Sequence, residues 1–228
     1  KPLVANKEGV KKMEFFTPEH DKAALTPQTE QKNLPAVLLI GDSIANGYTG
    51  PVRELLKDVC QVHGTSNAGD TRKGLEAVDA WLGPGEWDLI HFNWGLHDIA
   101  YRHPDATVYG NRDKINGTLS VDPEQYRTNL EALVELLCKR ARKLVWGSTT
   151  YVPEGEAGRF QGDEVRYNAI AEEIMKRRGI PINDLHALTS SFGPEMFWRP
   201  CDVHYSEAGN VKIAEQVAQV IEQQAQTV

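Results

Sequence analysis

The chain has 228 residues, with 25 Lys or Arg against 32 Asp or Glu, and a formal net charge of −7 at pH 7. This acidic balance excludes a broad basic surface for binding a nucleic-acid backbone. No apolar run approaches the roughly 18 residues that a membrane-spanning helix needs. Hydrophobic residues at 40% and charged residues at 25% are typical of a globular protein and argue against disorder.

The length is typical of one domain, or of one domain with added segments. Residues 1–34 are polar and lysine-rich, and we interpret them as an N-terminal arm on the surface of a domain that spans residues 35–228. Because the chain begins with Lys1 and not Met, we expect a removed upstream segment and a secreted or periplasmic location, with the cytoplasm as the alternative. The three cysteines are too few and too scattered for a disulfide framework, so free thiols are expected unless one pair forms a bridge.

Apolar runs alternate with helical patterns from residue 36 onward. Continuous apolar runs predict buried strands, whereas apolar residues at every third or fourth position predict helices. The predicted strands span residues 36–40, 61–65, 87–94, 144–150 and 180–185, and the predicted helices span 51–59, 71–82, 123–138, 163–176 and 206–224. This alternation predicts a three-layer α/β/α fold with about five parallel strands and helices on both faces. Residues 99–122 form a turn-rich insertion.

Polar clusters follow three of the predicted strands, at the sheet edge where ligands of such folds bind. They read Gly-Asp-Ser at 41–43, Asn-Ala-Gly-Asp-Thr at 67–71 and Gly-Leu-His-Asp at 95–98, while Asp-Val-His at 202–204 precedes the last helix. A serine between a buried strand and a helix lies where backbone N–H groups stabilise a developing negative charge, as a nucleophile requires. We therefore expect these clusters to meet in one pocket that is suited to acyl transfer.

With these blocks in this order, and the last one extending as DVHYSEAG to residue 209, the chain resembles the SGNH/GDSL hydrolases, which are flavodoxin-like serine esterases. The resemblance covers residues 35 to about 224. It implies a nucleophile at Ser43, a general base at His204, and an oxyanion hole formed by the backbone N–H groups of Ser43 and Gly69. No cofactor is expected, and no metal either, since His91 and His97 share a strand face but lack a third ligand.

The sequence departs from the family pattern at two positions. The family's third block carries an Asn that donates into the oxyanion hole, and here His97 stands in its place. A neutral imidazole has one N–H donor, so we predict His97 as the third donor; a packed histidine bonded to Asp98, or Asn93 as the donor, are the alternatives. The family's acid commonly precedes the histidine by three residues, where this chain has Cys201. We predict that the loop bends so that Asp202 is the acid, and a Ser–His dyad is the alternative.

Five side chains near these blocks are predicted to contact the substrate: Trp94, Tyr101, Arg102, Trp198 and Arg199. Aromatic faces beside guanidinium groups suit sugar rings and anionic groups better than an aliphatic chain. The first interpretation is therefore a carbohydrate or small-ester O-acetylesterase that acts through an acyl-enzyme on a small-molecule or carbohydrate ester. A short-chain esterase or thioesterase, and a non-catalytic ligand-binding protein on the same fold, are the alternatives.

Overall fold

The structure is a computed structural model that describes residues 34–65 and 67–225. The predicted N-terminal arm lies almost entirely outside the described residues, so the division between arm and domain stays a prediction. Among the residues that are described, no helix is long and apolar enough to cross a membrane.

The strands make one parallel sheet and one small hairpin. In chain order they are β1 (Ala36–Ile40), β2 (Gln61–Gly64), β3 (Trp87–Phe92), β4 (Tyr101–Arg102), β5 (Thr118–Leu119), β6 (Ala141–Gly147) and β7 (Ile182–Asn183). The parallel sheet has the order β2-β1-β3-β6-β7, and β4 pairs with β5 in an antiparallel hairpin. At the centre of the sheet, Leu38 is paired with Ile90 and Ile40 with Phe92, and all four side chains are buried.

Helices cover both faces of this sheet. They are α1 (Ser43–Leu55), α2 (Thr71–Leu82), α3 (Pro123–Cys138), α4 (Asp163–Arg178), α5 (Leu185–Ser190) and α6 (Glu207–Ala225). Helix α1 packs against α6, while α2 packs against α3 and α3 against α4. Right-handed crossovers, from β1 to β2 through α1 and from β2 back to β3 through α2, run in opposite directions along the sheet and so place these two groups on opposite faces. The predicted α/β fold with a five-stranded parallel sheet is confirmed.

Aspartate side chains begin three of the helices. Asp42 accepts from the backbone N–H of Ile44 at the start of α1, and Asp70 and Asp122 accept from N–H groups in the first turns of α2 and α3. Such caps satisfy N–H groups that have no partner inside the helix. Because two of the caps adjoin Ser43 and Gly69, they also fix the backbone of two predicted site residues.

Several element boundaries differ from the sequence prediction, and for two of them a capping residue gives the reason. Helix α1 begins at Ser43 and contains Pro51, whereas the sequence suggested a start at residue 51. Proline is common in the first turn, but here the Asp42 cap starts the helix earlier and Pro51 lies inside it. Strand β7 ends at Asn183 because Asp184 caps the short helix α5, accepting from the N–H of Ala187.

The insertion at residues 99–122 is tied to the loop that follows β6. The N–H of Tyr101 donates to the carbonyl of Gly158 at 2.7 Å, and the N–H of Lys114 donates to that of Ala157 at 2.9 Å. The insertion thus packs beside the carboxyl end of β3, close to His97.

Candidate active site

Backbone contacts gather the loops at the carboxyl ends of β1, β2 and β3. The N–H of Ala68 donates to the carbonyl of Gly41, and that of Asn93 to the carbonyl of Ile40, each at 2.9 Å. The first contact joins the loop that carries Ser43 to the loop that carries Gly69. These ties follow from the parallel sheet, because the carboxyl ends of neighbouring strands lie at the same edge.

Ser43 and His204 are in direct contact although 161 positions separate them in the chain. The Ser43 Oγ lies 2.9 Å from the His204 Nε2, and both residues are partly exposed, so a substrate can reach them. Ser43 is the first residue of α1, whose N-terminal N–H groups point toward this position. The pair therefore has the geometry of a nucleophile and its base.

Asp202 completes a chain of hydrogen bonds behind His204. Its Oδ1 lies 2.6 Å from the His204 Nδ1 and accepts from the His204 backbone N–H at 3.0 Å. Its Oδ2 accepts from the Arg199 Nε at 3.0 Å. The backbone of Cys201 is left-handed, with a φ of 58°, and this turn directs the side chain of the next residue under the imidazole. The exposed Cys201 lies three residues before His204, and the contact with the imidazole is made by Asp202.

The protonation states of this pair follow from its surroundings. Burial alone would raise the pKa of Asp202, but the hydrogen bonds and charge of His204, together with the charge of Arg112, hold that pKa well below its usual range. Since the ionised carboxylate can only accept, the His204 Nδ1 carries the proton and the Nε2 lone pair faces the Ser43 hydroxyl. This is the tautomer that a general base needs.

Gly69 presents its backbone beside the start of α2. Its φ is 63°, a left-handed conformation that other residues seldom adopt, and its N–H donates to the Asn67 side-chain oxygen at 2.9 Å. An oxyanion would therefore have to share this N–H with Asn67 or displace the Asn67 side chain.

His97 is a neutral imidazole held by Arg102. The Arg102 Nη2 lies 3.3 Å from the His97 Nδ1. Burial is the main cause that lowers the pKa of His97, to about 4; the charges of Arg159 and Arg102 lower it too, and those of Asp42 and Asp70 oppose them. The ring is therefore uncharged at neutral pH.

Asp98 and Asn93, on which the two alternative interpretations of this block depend, form hydrogen bonds with other residues. The Asp98 Oδ1 accepts from the backbone N–H and the hydroxyl of Thr71, at 3.0 and 2.6 Å, while its buried Oδ2 has no hydrogen-bond partner among the described residues. Asp98 thus joins the third block to the start of α2 and does not bond to the neighbouring imidazole. The Asn93 amide donates one of its two N–H groups to the carbonyl of Gly147 at 2.7 Å, which ties this side chain to the end of the strand β6.

The geometry agrees with the comparison to known families. The model of the GDSL-like Lipase/Acylhydrolase family matches residues 39–212, which include all four sequence blocks. The chain belongs to this family. It is accordingly a carboxylic ester hydrolase. A search of curated proteins finds no significant match.

Solved structures with the same fold extend the comparison of this GDSL-like hydrolase. The acetyl xylan esterase AlAXEase has a TM-score of 0.65 at 17% identity, over 82% of this chain and 99% of that one. A lipase/acylhydrolase from Enterococcus faecalis has a TM-score of 0.64 at 18% identity, over 83% and 96%. An acetylxylan esterase from Geobacillus stearothermophilus has a TM-score of 0.62 at 17% identity, over 85% and 95%. At these identities the likeness concerns the fold.

The predicted substrate contacts of this hydrolase separate into three groups. Trp94 is wrong as a contact, because it is 1% exposed and packs in the core against Gly74, where no substrate can reach it. Arg102 and Arg199 are bound to His97 and Asp202, so their guanidinium groups act within the site. Two aromatic residues remain accessible: the partly exposed Tyr101, in edge contact with the Phe160 ring, and Trp198, which is 51% exposed.

Sequence reasoning missed a buried charge network behind the oxyanion side. Glu156 is fully buried and accepts from Arg112 and, at 3.1 Å, from the Arg159 Nη1. The Arg159 Nε donates to the carbonyl of Leu96, directly before His97. Burial lowers the pKa of Arg159 to about 10, which leaves it charged at neutral pH. The network joins two cations and one carboxylate next to His97, the charge of Arg112 also acts on Asp202, and no motif in the sequence marks it.

Within the described residues, no group of three or more His, Cys, Asp or Glu side chains has the arrangement of a metal site.

Proposed function

We propose that the chain is a serine esterase in which Ser43 is the nucleophile, His204 the general base and Asp202 the orienting acid. The observation that carries the proposal is the hydrogen-bond chain from the Ser43 Oγ through His204 to the Asp202 carboxylate, at 2.9 and 2.6 Å. A serine hydroxyl is a weak nucleophile at neutral pH, and this arrangement removes its proton during attack.

The reaction proceeds in two displacements. The Ser43 Oγ attacks the ester carbonyl while the His204 Nε2 takes the hydroxyl proton, and collapse of the tetrahedral intermediate releases the alcohol, which receives that proton. Water then attacks the acyl-enzyme, again losing its proton to His204, and the acid leaves with Ser43 regenerated. Asp202 stabilises the imidazolium in both steps, because its ionised carboxylate accepts from the His204 Nδ1–H.

The oxyanion hole of this proposal is formed by the backbone N–H groups of Ser43 and Gly69 and by the imidazole of His97. Donors that are oriented before the reaction stabilise the developing negative charge, and the Gly69 N–H joins them once the oxyanion shares it with Asn67 or displaces the Asn67 side chain. The buried Arg159 donates to the carbonyl of Leu96 and so holds the backbone directly before His97. A non-catalytic binding protein would not require the triad geometry.

For the substrate we propose an O-acetyl ester of a carbohydrate, with a small short-chain ester or thioester as the alternative. Trp198 supports this, because its ring is half exposed and its backbone N–H donates to the His204 carbonyl at 2.9 Å, beside the base. Tyr101 and Phe160 add aromatic surface near the insertion. Aromatic faces suit sugar rings, and two of the structural neighbours are acetyl xylan esterases.

A fluorophosphonate ester and a Ser43→Ala variant test the nucleophile. We expect stoichiometric labelling of the wild type at Ser43, measured by mass spectrometry, and no labelling of the variant. Hydrolysis of p-nitrophenyl acetate should fall by roughly 10³-fold or more in Ser43→Ala, while the melting temperature stays near that of the wild type. Wild-type protein that hydrolyses the ester but is not labelled at Ser43 would contradict Ser43 as the nucleophile.

The substrate class is tested with acetylated xylooligosaccharides against p-nitrophenyl acetate. Trp198→Ala should raise KM for the sugar ester by roughly tenfold, in line with one lost aromatic contact, and leave KM for the nitrophenyl ester nearly unchanged. Leu55→Ala is a matched control, since Leu55 is also 51% exposed but lies at the opposite end of α1 from Ser43. Equal KM changes for both esters in Trp198→Ala would contradict a sugar contact.

A further inference from the structure

We propose that Arg102 is a positioning residue that fixes His97 as the neutral Nε2–H tautomer, so that the imidazole acts as an oxyanion donor in place of an amide. The inference rests on the proposed serine esterase function. It adds a role for a residue of the insertion that the sequence placed among the substrate contacts.

The chemistry of the contact determines the tautomer. A guanidinium group has only donors, so the His97 Nδ1 at 3.3 Å from the Arg102 Nη2 must offer its lone pair. In a neutral ring the proton then resides on Nε2. An imidazolium would instead bring an N–H donor and a second positive charge against the guanidinium, which disfavours protonation.

Arg102 is itself held in place by the insertion. Its Nη1 donates to the carbonyl of Gly110, and Arg102 pairs with Thr118 in the β4–β5 hairpin. The Gly110 backbone is left-handed, with a φ of 72°, and a Cβ added there would lie 3.0 Å from that Nη1. The carbonyl anchor directs one guanidinium nitrogen toward the loop and leaves another for His97.

Other charged groups around His97 do not assign a tautomer. Asp42, Asp70 and Arg159 act on the ring through their charge, and Asp98 is bonded to Thr71. Arg102 is the residue whose hydrogen bond to a ring nitrogen distinguishes the two neutral forms. An asparagine amide always presents N–H donors, so an enzyme with Asn at this position would not need such a partner.

The tautomer is measured directly by ¹⁵N NMR of histidine-labelled protein at pH 7, with His97→Asn used to assign the signals. We expect a non-protonated Nδ1 and a protonated Nε2 for His97 in the wild type. In Arg102→Met, protonated Nδ1 should appear and the pKa of His97 should rise, because the charge of Arg102 lowers it. Arg102→Lys, which keeps a cationic donor, should restore much of the wild-type pattern. A protonated Nδ1 in the wild type would overturn the proposal.

A double-mutant cycle measures the functional coupling. Arg102→Met should lower kcat on p-nitrophenyl acetate by about three- to tenfold, a fraction of the roughly 100-fold cost of removing an oxyanion donor outright. In the His97→Asn background the same substitution should change kcat less than about twofold. Equal losses in both backgrounds, or no loss in either, would overturn the proposal.

Two controls distinguish a specific effect of Arg102 on His97 from a general effect of losing a charge and from failure of the proposed esterase function. Arg127→Met removes an exposed guanidinium that pairs with Glu173, far from the site on α3, and should leave kcat unchanged in both backgrounds. Failure of the proposed function would appear as wild-type protein that no fluorophosphonate labels, whereas the NMR measurement needs no turnover and judges the tautomer by itself.

Discussion

The base side of the site, Asp202 and His204, lies on one loop and is held by hydrogen bonds between residues two or three positions apart. The oxyanion side differs, because Ser43, Gly69 and His97 come from three loops joined across the sheet. There the contact between Thr71 and Asp98 links residues 27 positions apart. The geometry of the base side is determined within one loop, whereas that of the oxyanion side depends on how several loops pack at the edge of the sheet. Substitutions on the two sides should therefore have different consequences.

Asp202→Asn should have the largest effect on activity. Both carboxylate oxygens accept, Oδ1 from His204 and Oδ2 from Arg199, and an amide has only one acceptor. Either orientation of the amide leaves two donors facing each other or stabilises the wrong tautomer of His204. We expect kcat on p-nitrophenyl acetate to fall by roughly 10³- to 10⁴-fold.

The matched control is Asp184→Asn, at an aspartate that caps α5 and should leave kcat within about twofold. If Asp202→Asn retained more than about a tenth of the wild-type kcat, the pair of Ser43 and His204 would work as a dyad.

His97→Ala tests the oxyanion side and should have an intermediate effect. Loss of one oxyanion donor lowers kcat by roughly 10²-fold with little change in KM, because the donor acts on charge that develops only in the transition state. His97→Asn should keep most of the wild-type kcat, since an amide N–H replaces the imidazole N–H. Steady-state kinetics at pH 7 measure both. Equal losses in the two variants would mean that His97 serves packing.

Asp98→Asn should affect stability more than activity. Burial raises the pKa of Asp98 to about 7, against the opposing hydrogen bonds from Thr71. The folded protein therefore holds the proton of Asp98 more tightly than the unfolded chain does. The stability that this provides is fully present below about pH 4. It is lost as the pH rises toward 7, by at most roughly 1.4 kcal/mol of unfolding free energy per pH unit. The neutral amide lacks this dependence and leaves one oxygen to accept from Thr71.

The measurement is the free energy of unfolding from pH 5 to pH 8 for both proteins. The stability of Asp98→Asn should increase relative to that of the wild type as the pH rises. Asp122→Asn, at the exposed cap of α3, is the control and should show no such relative increase. A constant difference between wild type and Asp98→Asn would show that the Asp98 carboxyl is ionised throughout this range.

Much of the fold could be predicted because its signals are local. The apolar runs of β1 and β3 and the periodic pattern of α3 identify these elements, and the predicted bounds of α2 at residues 71–82 are those of the structure. The start of α1 was missed because its cap, Asp42, also belongs to the Gly-Asp-Ser block, while the proline at residue 51 suggested a later start. Two start signals competed, and the hydrogen bond to Ile44 decides between them.

The site could be predicted only in part. The ordered blocks resemble those of a known family, and that resemblance is what assigned roles to Ser43, Gly69 and His204. Trp94 was misassigned because a tryptophan at a strand end gives no sign of whether its ring faces a pocket or the core. The roles of Arg102 and Arg199 were also invisible, because a guanidinium suits an anionic substrate as well as a protein acceptor.

The sequence by itself determined the alternation of strands and helices, the edge of the sheet where the polar blocks meet, and the chemical groups available there. Only the tertiary structure decided which atoms touch: the left-handed turn at Cys201 that places Asp202 under His204, and the guanidinium that reaches the His97 Nδ1. The physical reason is the distance along the chain over which each interaction acts. Propensity and periodicity act over a few residues, whereas hydrogen bonds between separate loops depend on how the whole sheet and its insertion pack.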